Sequence, residues 1–161
     1  MFKKIILWIL VISCMVTIFA FSSQEATESK KTSSKFITSV IRLLDVNKSL
    51  SHQEIENIAE KITTLVRKSA HFSIYALLGL LVALLFSQYG VIGKRQLLFA
   101  VLWVFLYACS DEFHQTFVEG RSGEVRDILI DTAGGFCGAG FIIMVVALIK
   151  RIHKRRDENG F

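Results

Sequence analysis

The stretch that decides the fold is DEFHQTFVEGRSGEVRDILID, residues 111–131, together with the apolar runs on either side of it. The run before it is LLFAVLWVFLYAC, residues 97–109, and the run after it is GGFCGAGFIIMVVALI, residues 134–149. Carboxylates, a histidine and two arginines thus separate two segments that carry no charge. Either the polar stretch is a solvated loop, or it forms a site where two membrane helices reach the bilayer surface.

Four apolar windows have about the length of a membrane span. They cover residues 5–21, 70–89, 96–112 and 127–149, and a helix needs roughly 20 mainly apolar residues to cross the hydrocarbon core. Apolar residues make up 52% of the 161 residues, which is rich for a soluble protein of this size. The sequence therefore predicts one all-α domain over residues 1–161, an integral membrane four-helix bundle.

Positive charge is concentrated at three places along the chain. The chain carries 19 Lys and Arg against 14 Asp and Glu, a formal net charge of +5. Basic residues precede the first span, separate the second from the third, and fill the tail 150–161. Four spans put all three groups on one side, which the positive-inside rule makes cytoplasmic. We therefore expect a plasma-membrane protein with both termini in the cytoplasm and no binding of nucleic acid.

Residues 22–68 are then extracytoplasmic, although this segment also contains basic residues. Two amphipathic helices are predicted within it. The second begins at a capping box, Ser51-His52-Gln53-Glu54, and such helices lie on the membrane interface or cover the end of a bundle. The apolar faces comprise Phe36, Ile37, Val40, Ile41 and Leu44 in the first helix, and Ile55, Ile58, Ala59, Ile62, Leu65 and Val66 in the second.

The first apolar run has three interpretations. It can be an uncleaved span, a signal peptide cleaved near Ala20-Phe21-Ser22, or a lipoprotein signal processed at Cys14. The lipoprotein interpretation fits poorly, because residues 15–21 stay apolar after the cysteine. We favour the uncleaved span.

Polar side chains occupy one face near the outer end of three predicted spans. Spacings of three, four or seven residues place side chains on a common helical face. These side chains are Lys68, His71 and Tyr75 in the second span, Asp111, Glu112, His114 and Gln115 in the third, and Asp127 and Asp131 in the fourth. All three faces lie at the same membrane depth, so we expect them to converge.

These residue types indicate several kinds of chemistry. Asp, Glu and His side chains can act as general acids and bases, and Lys68 and Arg121 could grip a phosphate or carboxylate. Histidines and carboxylates could also ligate a divalent metal. No local metal-ligand motif is present, however, since Glu112 and His114 are too close along a helix to share a face. We therefore predict no cofactor, and the sequence leaves open whether any reaction is catalysed.

Each of these residues also has a structural interpretation. The pair Gly134-x-x-x-Gly138 has the spacing that membrane helices use for close packing, and we expect it to pack within the bundle. Asp131 is harder to explain by packing, because a carboxylate inside a span requires a partner or water. Glu119 and Glu124 are expected in solvent. The prediction of a site therefore depends on the convergence of three helices.

Several motifs carry a resemblance to a known family. They are RKSAHF at residues 67–72 with Tyr75, Asp111-Glu112-x-His114-Gln115-x-Phe117, Gly120-Arg121, Asp127-x-x-x-Asp131-x-x-Gly134, and Phe21-Ser22-Ser23-Gln24. Over nearly the whole chain they resemble the VanZ-like family of bacterial membrane proteins. That family takes its name from a protein that accompanies vancomycin-resistance genes and confers low-level resistance to teicoplanin, a lipid-tailed glycopeptide. The resemblance implies a cell-envelope function carried by His71, Asp111, Glu112, His114, Gln115, Arg121, Asp127 and Asp131.

Two functional hypotheses follow. In the first, an outward-facing polar site binds, and could modify, an amphiphilic or lipid-linked envelope molecule. The proposed functional cluster then consists of His71, Asp111, Glu112, His114, Asp127 and Asp131, with ligand-binding residues Lys68, Tyr75, Gln115 and Arg121. In the second, the charged cluster only holds the helices together, and the protein acts as an envelope scaffold or contacts another envelope protein. The oligomeric state is open under both.

Overall fold

Four long helices make up most of the computed structural model. It describes residues 1–23, 37–41, 51–119, 121 and 123–158, and residues 157 and 158 are described by their backbone alone. No β-strand occurs in these ranges, so the all-α prediction is confirmed. Residues 37–41 are helical, whereas the rest of the first amphipathic segment and the polar stretch 24–35 lie outside the described residues. The helices are α1 (Phe2–Ser22), α2 (His52–Ser87), α3 (Gly93–Gln115) and α4 (Val125–Glu158).

Each helix is long and apolar enough to cross a membrane. On α3, for example, Leu98, Leu102 and Leu106 are exposed on the outside of the bundle, although they are large and apolar. A stripe of this kind would be a liability in water, but it matches the hydrocarbon interior of a bilayer. The chain is therefore a multi-pass membrane protein. Three helices extend beyond their predicted apolar windows at both ends, because helical hydrogen bonding continues into the polar flanks. The helix α2 starts well before its window of residues 70–89 but ends at Ser87.

The second helix runs without a break from the polar segment into the membrane. Its capping box is present as predicted: the Glu54 N–H donates to Ser51 Oγ at 3.3 Å, and the Ser51 N–H donates to Glu54 Oε2 at 2.8 Å. No proline interrupts the helix after this start. Along its first half Ile55 is buried, whereas Leu65 on the predicted apolar face is 67% exposed. That face is therefore only partly covered by the described chain.

The core of the bundle is built on small side chains. In α3 the buried stripe recurs every four residues at Ala100, Val104 and Ala108, which lets neighbouring helices approach closely. The same stripe begins at Gln96, whose Nε2 donates to the carbonyl oxygen of Ala83 at 2.8 Å. An amide inside a span thus satisfies its hydrogen-bonding capacity on a neighbouring helix.

The closest helix contact joins α2 and α4, which are the most extensively packed pair. A Cβ atom on Gly134 would overlap the carbonyl oxygen of Phe72, and one on Gly138 would overlap that of Ala76. The two backbones therefore touch, and the predicted packing of Gly134-x-x-x-Gly138 within the bundle is confirmed. This contact fixes the depth of α4 against α2 and so places the polar residues just above it.

The first helix packs on α2 and α3 as a member of the bundle. Its side chains at Val11, Cys14 and Ile18 are buried, and the Tyr107 hydroxyl donates to the carbonyl oxygen of Met15 at 2.6 Å. Near its start, the Trp8 Nε1–H donates to the Tyr89 hydroxyl at 3.1 Å. The start of α1 therefore lies beside the turn between α2 and α3. We call the opposite end of the bundle, where α3 ends and α4 begins, the polar end.

Candidate functional site

Three helices each contribute one polar side chain to a common point at the polar end. The residues are His71 of α2, Asp111 of α3 and Asp131 of α4, and we call them the three-helix cluster. One potential ligand atom from each lies within 4.8 Å of the others. Asp111 is 2% exposed and Asp131 is 1% exposed, whereas His71 is partly exposed. The polar faces expected from helical spacing therefore do meet.

Only one oxygen of the Asp111 carboxylate accepts hydrogen bonds in the described chain. Its Oδ2 accepts hydrogen bonds from the Tyr75 hydroxyl at 3.1 Å and from Gln115 Nε2 at 3.3 Å. Gln115 Nε2 also donates to Ser22 Oγ at 2.6 Å, which ties the group to the end of α1. Asp111 Oδ1 has no hydrogen-bond partner in the described chain. The carboxylate is thus oriented with one oxygen unused.

Asp131 faces His71 across the α2–α4 contact. Its Oδ2 lies 3.7 Å from His71 Nδ1, an ion-pair distance when the imidazole is protonated but too long for a hydrogen bond. Within the described residues, neither carboxylate oxygen accepts a hydrogen bond. The placement follows from a nearby glycine. Gly134 touches the backbone of Phe72, so Asp131, about one helical turn before Gly134, is brought close to His71, the residue before Phe72.

Glu112 connects the end of α3 to the start of α4. Its Oε2 accepts the Glu124 N–H at 2.9 Å, just before α4, while its Oε1 has no partner in the described chain. The Glu112 side chain is buried, although Glu112 is the residue after Asp111 and so points in a different direction from the helix. Gly123 packs on the Glu112 backbone, where a Cβ would meet the carbonyl oxygen. A glycine at this position of the turn is therefore required for the close approach.

Lys68 is neutralised by carboxylates of the α4 start. Its Nζ donates to Asp127 Oδ1 at 2.5 Å and lies 3.8 Å from Glu124 Oε2. Glu124 is exposed, as expected, with 52% of its side-chain surface accessible, and it also contacts Lys68. Glu124 can contact Lys68 because α2 continues to the level of the bundle at which α4 begins.

His114 and Arg121 turn toward α1 rather than toward the three-helix cluster. His114 Nε2 lies 3.1 Å from Ser23 Oγ, and its ring packs 4.4 Å from that of Phe19. The Arg121 guanidinium donates to the Phe21 carbonyl oxygen at 3.3 Å. Burial and the neighbouring Arg67 lower the pKa of Arg121, which stays charged at neutral pH because its ordinary value is above 12. The described contacts of His114 lie on α1, so it does not join His71 as its helical spacing with Asp111 had suggested.

Comparison of the sequence with models of known protein families identifies the family of this chain. The model of the VanZ/LLP1 family matches residues 7–148. The chain belongs to the VanZ/LLP1 family. No curated protein and no solved structure gives a significant match to it.

No role was predicted from the sequence for two residues of this VanZ/LLP1 site, although Ser22 belongs to the Phe21-Ser22-Ser23-Gln24 motif. Ser22 is fully buried at the end of α1 and accepts the hydrogen bond from Gln115. Thr132, next to Asp131, has a buried Oγ1 without a partner in the described chain. Each is a single small polar residue at the edge of an apolar run, and no spacing pattern marks it. Only the arrangement of neighbouring helices gives these residues a role.

We expect the Lys68–Asp127 pair to stabilise this VanZ/LLP1 bundle measurably. Both side chains are about three-quarters buried, at 23% and 25% exposure, so water screens the pair less than it screens a surface pair. A double-mutant cycle with Lys68→Met and Asp127→Asn should give a coupling free energy of about 1–2 kcal/mol. The measurement is thermal unfolding in detergent.

The matched control is the exposed pair His52–Glu56, whose ring nitrogen and carboxylate lie 3.3 Å apart. A cycle with His52→Gln and Glu56→Gln at pH 6 should give no more than about 0.5 kcal/mol. Equal coupling in the two pairs would contradict the buried character of the Lys68–Asp127 contact.

Proposed function

We propose that this protein binds the head group of an amphiphilic or lipid-linked cell-envelope molecule at the outer surface of the bacterial plasma membrane. The observation that supports this most is the set of unused carboxylate oxygens on Asp111, Glu112 and Asp131, all at least 96% buried. Ionisable residues inside membrane helices are costly, so when they lack internal partners they indicate a functional site.

Large apolar side chains surround the same end of the bundle. Phe113 and Phe117 on the α3 side and Val125 and Leu129 on α4 are between 62% and 74% exposed. These surfaces contact acyl chains when the helices stand in a bilayer. A molecule with an acyl tail can therefore lie against them while its head group reaches the polar end.

The charge pattern favours a head group rich in hydrogen-bond donors. Carboxylates accept hydrogen bonds and cannot donate them when ionised, so amines, amides and hydroxyl groups complement the unused oxygens. Lys68, which the sequence suggested as an anion-binding group, is already paired with Asp127. Sugar and peptide head groups therefore suit the site better than a bare phosphate.

Positive charge supports an outward orientation for the polar end. Lys94 and Arg95 lie at the start of α3, and the start of α1 lies beside the same turn, where Lys4 Nζ is 4.3 Å from the centre of the Tyr89 ring. The positive-inside rule assigns this end to the cytoplasm. Both termini are then cytoplasmic, and the polar end faces outward.

The family resemblance suggests teicoplanin as one ligand. This glycopeptide combines a lipid tail with sugar and peptide groups, which is the class of molecule that the site would bind. Low-level resistance would follow if the protein occupied the glycopeptide, or its lipid-linked target, at the membrane surface. Binding alone is sufficient for this function, and no chemical step is required.

The alternative is a structural scaffold, and specific contacts favour it. Hydrogen bonds from Tyr75 to Asp111 and from Gln115 to Ser22 each join two helices, as does the Lys68–Asp127 ion pair. If these contacts were the purpose of the polar residues, replacing them would remove the folded protein itself. The abundance of variants in the membrane therefore separates the two functions.

The test compares Glu112→Gln with Glu119→Gln, which changes an exposed carboxylate in the turn that follows α3. We expect the Glu112→Gln variant to reach the membrane in normal amounts but to lose most of its effect on teicoplanin susceptibility and most of its co-purifying amphiphile. The measurements are the inhibitory concentration and lipid mass spectrometry of the purified protein. Glu119→Gln should behave as wild type.

Two outcomes would count against the proposal. Loss of the Glu112→Gln protein from the membrane would favour the scaffold. Unchanged susceptibility and unchanged lipid content in a well-folded Glu112→Gln variant would remove the head-group site.

A further inference from the structure

Three potential metal ligands meet in the three-helix cluster, one each from α2, α3 and α4. A ring nitrogen of His71 and one carboxylate oxygen each of Asp111 and Asp131 lie within 4.8 Å of one another. In a tetrahedral shell, bonds of about 2.1 Å place neighbouring ligand atoms about 3.4 Å apart. Ligand atoms separated by up to 4.8 Å therefore each need to move inward by no more than about 0.8 Å, which side-chain rotation can supply.

The unused oxygens of the cluster are the atoms a metal ion would take. Asp131 has both carboxylate oxygens without a hydrogen bond in the described chain, and Asp111 has Oδ1 without one. The other oxygen of Asp111 is held by the Tyr75 hydroxyl and Gln115 Nε2. Hydrogen bonds of this kind commonly orient a ligating carboxylate from behind. The cluster thus has both free ligand atoms and the supporting contacts of a metal site.

Charge balance points the same way. Two ionised aspartates and a neutral imidazole require a charge of +2 for neutrality, which one divalent cation supplies at a single point. A protonated His71 would balance only one carboxylate and would still leave Asp131 Oδ1 without a partner. Buried charges are tolerated when they are paired or coordinate a metal.

We infer that His71, Asp111 and Asp131 bind one divalent transition-metal cation of the Zn²⁺ or Mn²⁺ class. Imidazole with carboxylates suits these ions, whereas Ca²⁺ and Mg²⁺ prefer ligand sets made only of oxygen. Three protein ligands leave at least one coordination position for water or a ligand group. The inference goes beyond head-group binding and stands whether or not an amphiphile occupies the polar end.

Sequence reasoning predicted no cofactor because no local ligand motif exists. The three ligands are separated by 40 and 20 positions along the chain, and each helix contributes only one of them. A local motif appears only when one helix or loop supplies several ligands. The site therefore becomes visible only after the helices pack.

The experiment measures metal in the full-length protein purified in detergent through an affinity tag that contains no histidine. We expect about one equivalent of zinc or manganese per chain by mass spectrometry, or its uptake from a solution of Zn²⁺ or Mn²⁺ after treatment with a chelator. His71→Gln and Asp131→Asn should each weaken binding of the same ion at least about tenfold. Tyr75→Phe, which removes a supporting hydrogen bond, should weaken it without abolishing it.

The matched control is His114→Gln, which removes a histidine at the same end of the bundle but outside the cluster. It should retain the metal. If the cluster variants fail to fold, X-ray absorption of the Zn²⁺-loaded wild type must show one imidazole in an otherwise oxygen shell. The inference is overturned if the wild type binds neither ion, if its spectrum lacks an imidazole, or if folded His71→Gln binds as tightly as wild type. Metal retention without any co-purified amphiphile would instead contradict only the head-group proposal.

Discussion

Replacing Gly138 with alanine is expected to disrupt the bundle more than any other single methyl addition on α4. A Cβ at this position overlaps the carbonyl oxygen of Ala76 and the backbone atoms next to it. Backbone cannot rotate away as a side chain can, so α2 and α4 must separate and lose contacts along their length. We expect a loss of about 3 kcal/mol or more in the free energy of unfolding. Thermal unfolding in detergent, with the yield of monodisperse protein, measures it.

Gly140 provides the matched control for this substitution. It lies two residues further along the same helix, and a Cβ built on it meets no atom within 4 Å. Gly140→Ala should therefore be neutral or stabilising by up to about 1 kcal/mol, because alanine favours helix more than glycine does. If both substitutions had the same effect, helix propensity rather than the α2–α4 contact would account for the glycines.

Replacing Asp131 with asparagine is expected to weaken metal binding at least about tenfold while leaving the metal-free protein at least as stable as wild type. The aspartate is 1% exposed, and neither oxygen accepts a hydrogen bond in the described chain. Burying a charge without a hydrogen-bonded partner is costly, so its removal should leave the metal-free protein as stable as wild type or more stable by about 1–3 kcal/mol. Metal binding should therefore decrease while the stability of the metal-free protein is kept or increased, which is typical of a functional residue that destabilises the folded state.

The measurement for Asp131→Asn is thermal unfolding in the presence of a chelator, paired with metal content. Wild type should then gain stability when Zn²⁺ or Mn²⁺ is added, whereas the variant should not, since only a folded site binds the ion. Strong destabilisation of the metal-free variant would instead show that Asp131 holds α2 and α4 together through His71. That result would support the scaffold function.

Much of the fold is predictable because it depends on local patterns. Apolar length predicts four spans, the Ser51–Glu54 pattern predicts the start of α2, and the absence of proline predicts its continuity into the membrane. Apolar windows locate only the membrane part of a helix: α2 begins at His52, as the capping box predicts, although its apolar window begins near residue 70, and it ends at Ser87, before the predicted end at residue 89. Hydropathy marks where a helix enters hydrocarbon, whereas backbone hydrogen bonding decides where the helix itself begins and ends.

The candidate site was predictable only as three polar faces. Spacing correctly placed Lys68, His71 and Tyr75 on one side of α2, but it could not decide which residue meets which. His114 shares a helical face with Asp111 by spacing, yet it lies beside Phe19 of α1. Three helical residues advance the side chain by about 300°, so neighbours on one face are offset enough to contact different helices.

The amino-acid sequence by itself determined the helices, their membrane character and the polar face of each. Those properties come from hydrophobicity, capping and helical periodicity, which act over a few turns. Only the tertiary structure decided that His71, Asp111 and Asp131 meet while Lys68 turns to Asp127. The reason is that backbone contact at Gly134 and Gly138 sets the relative depth and rotation of α2 and α4, and no single helix contains that information.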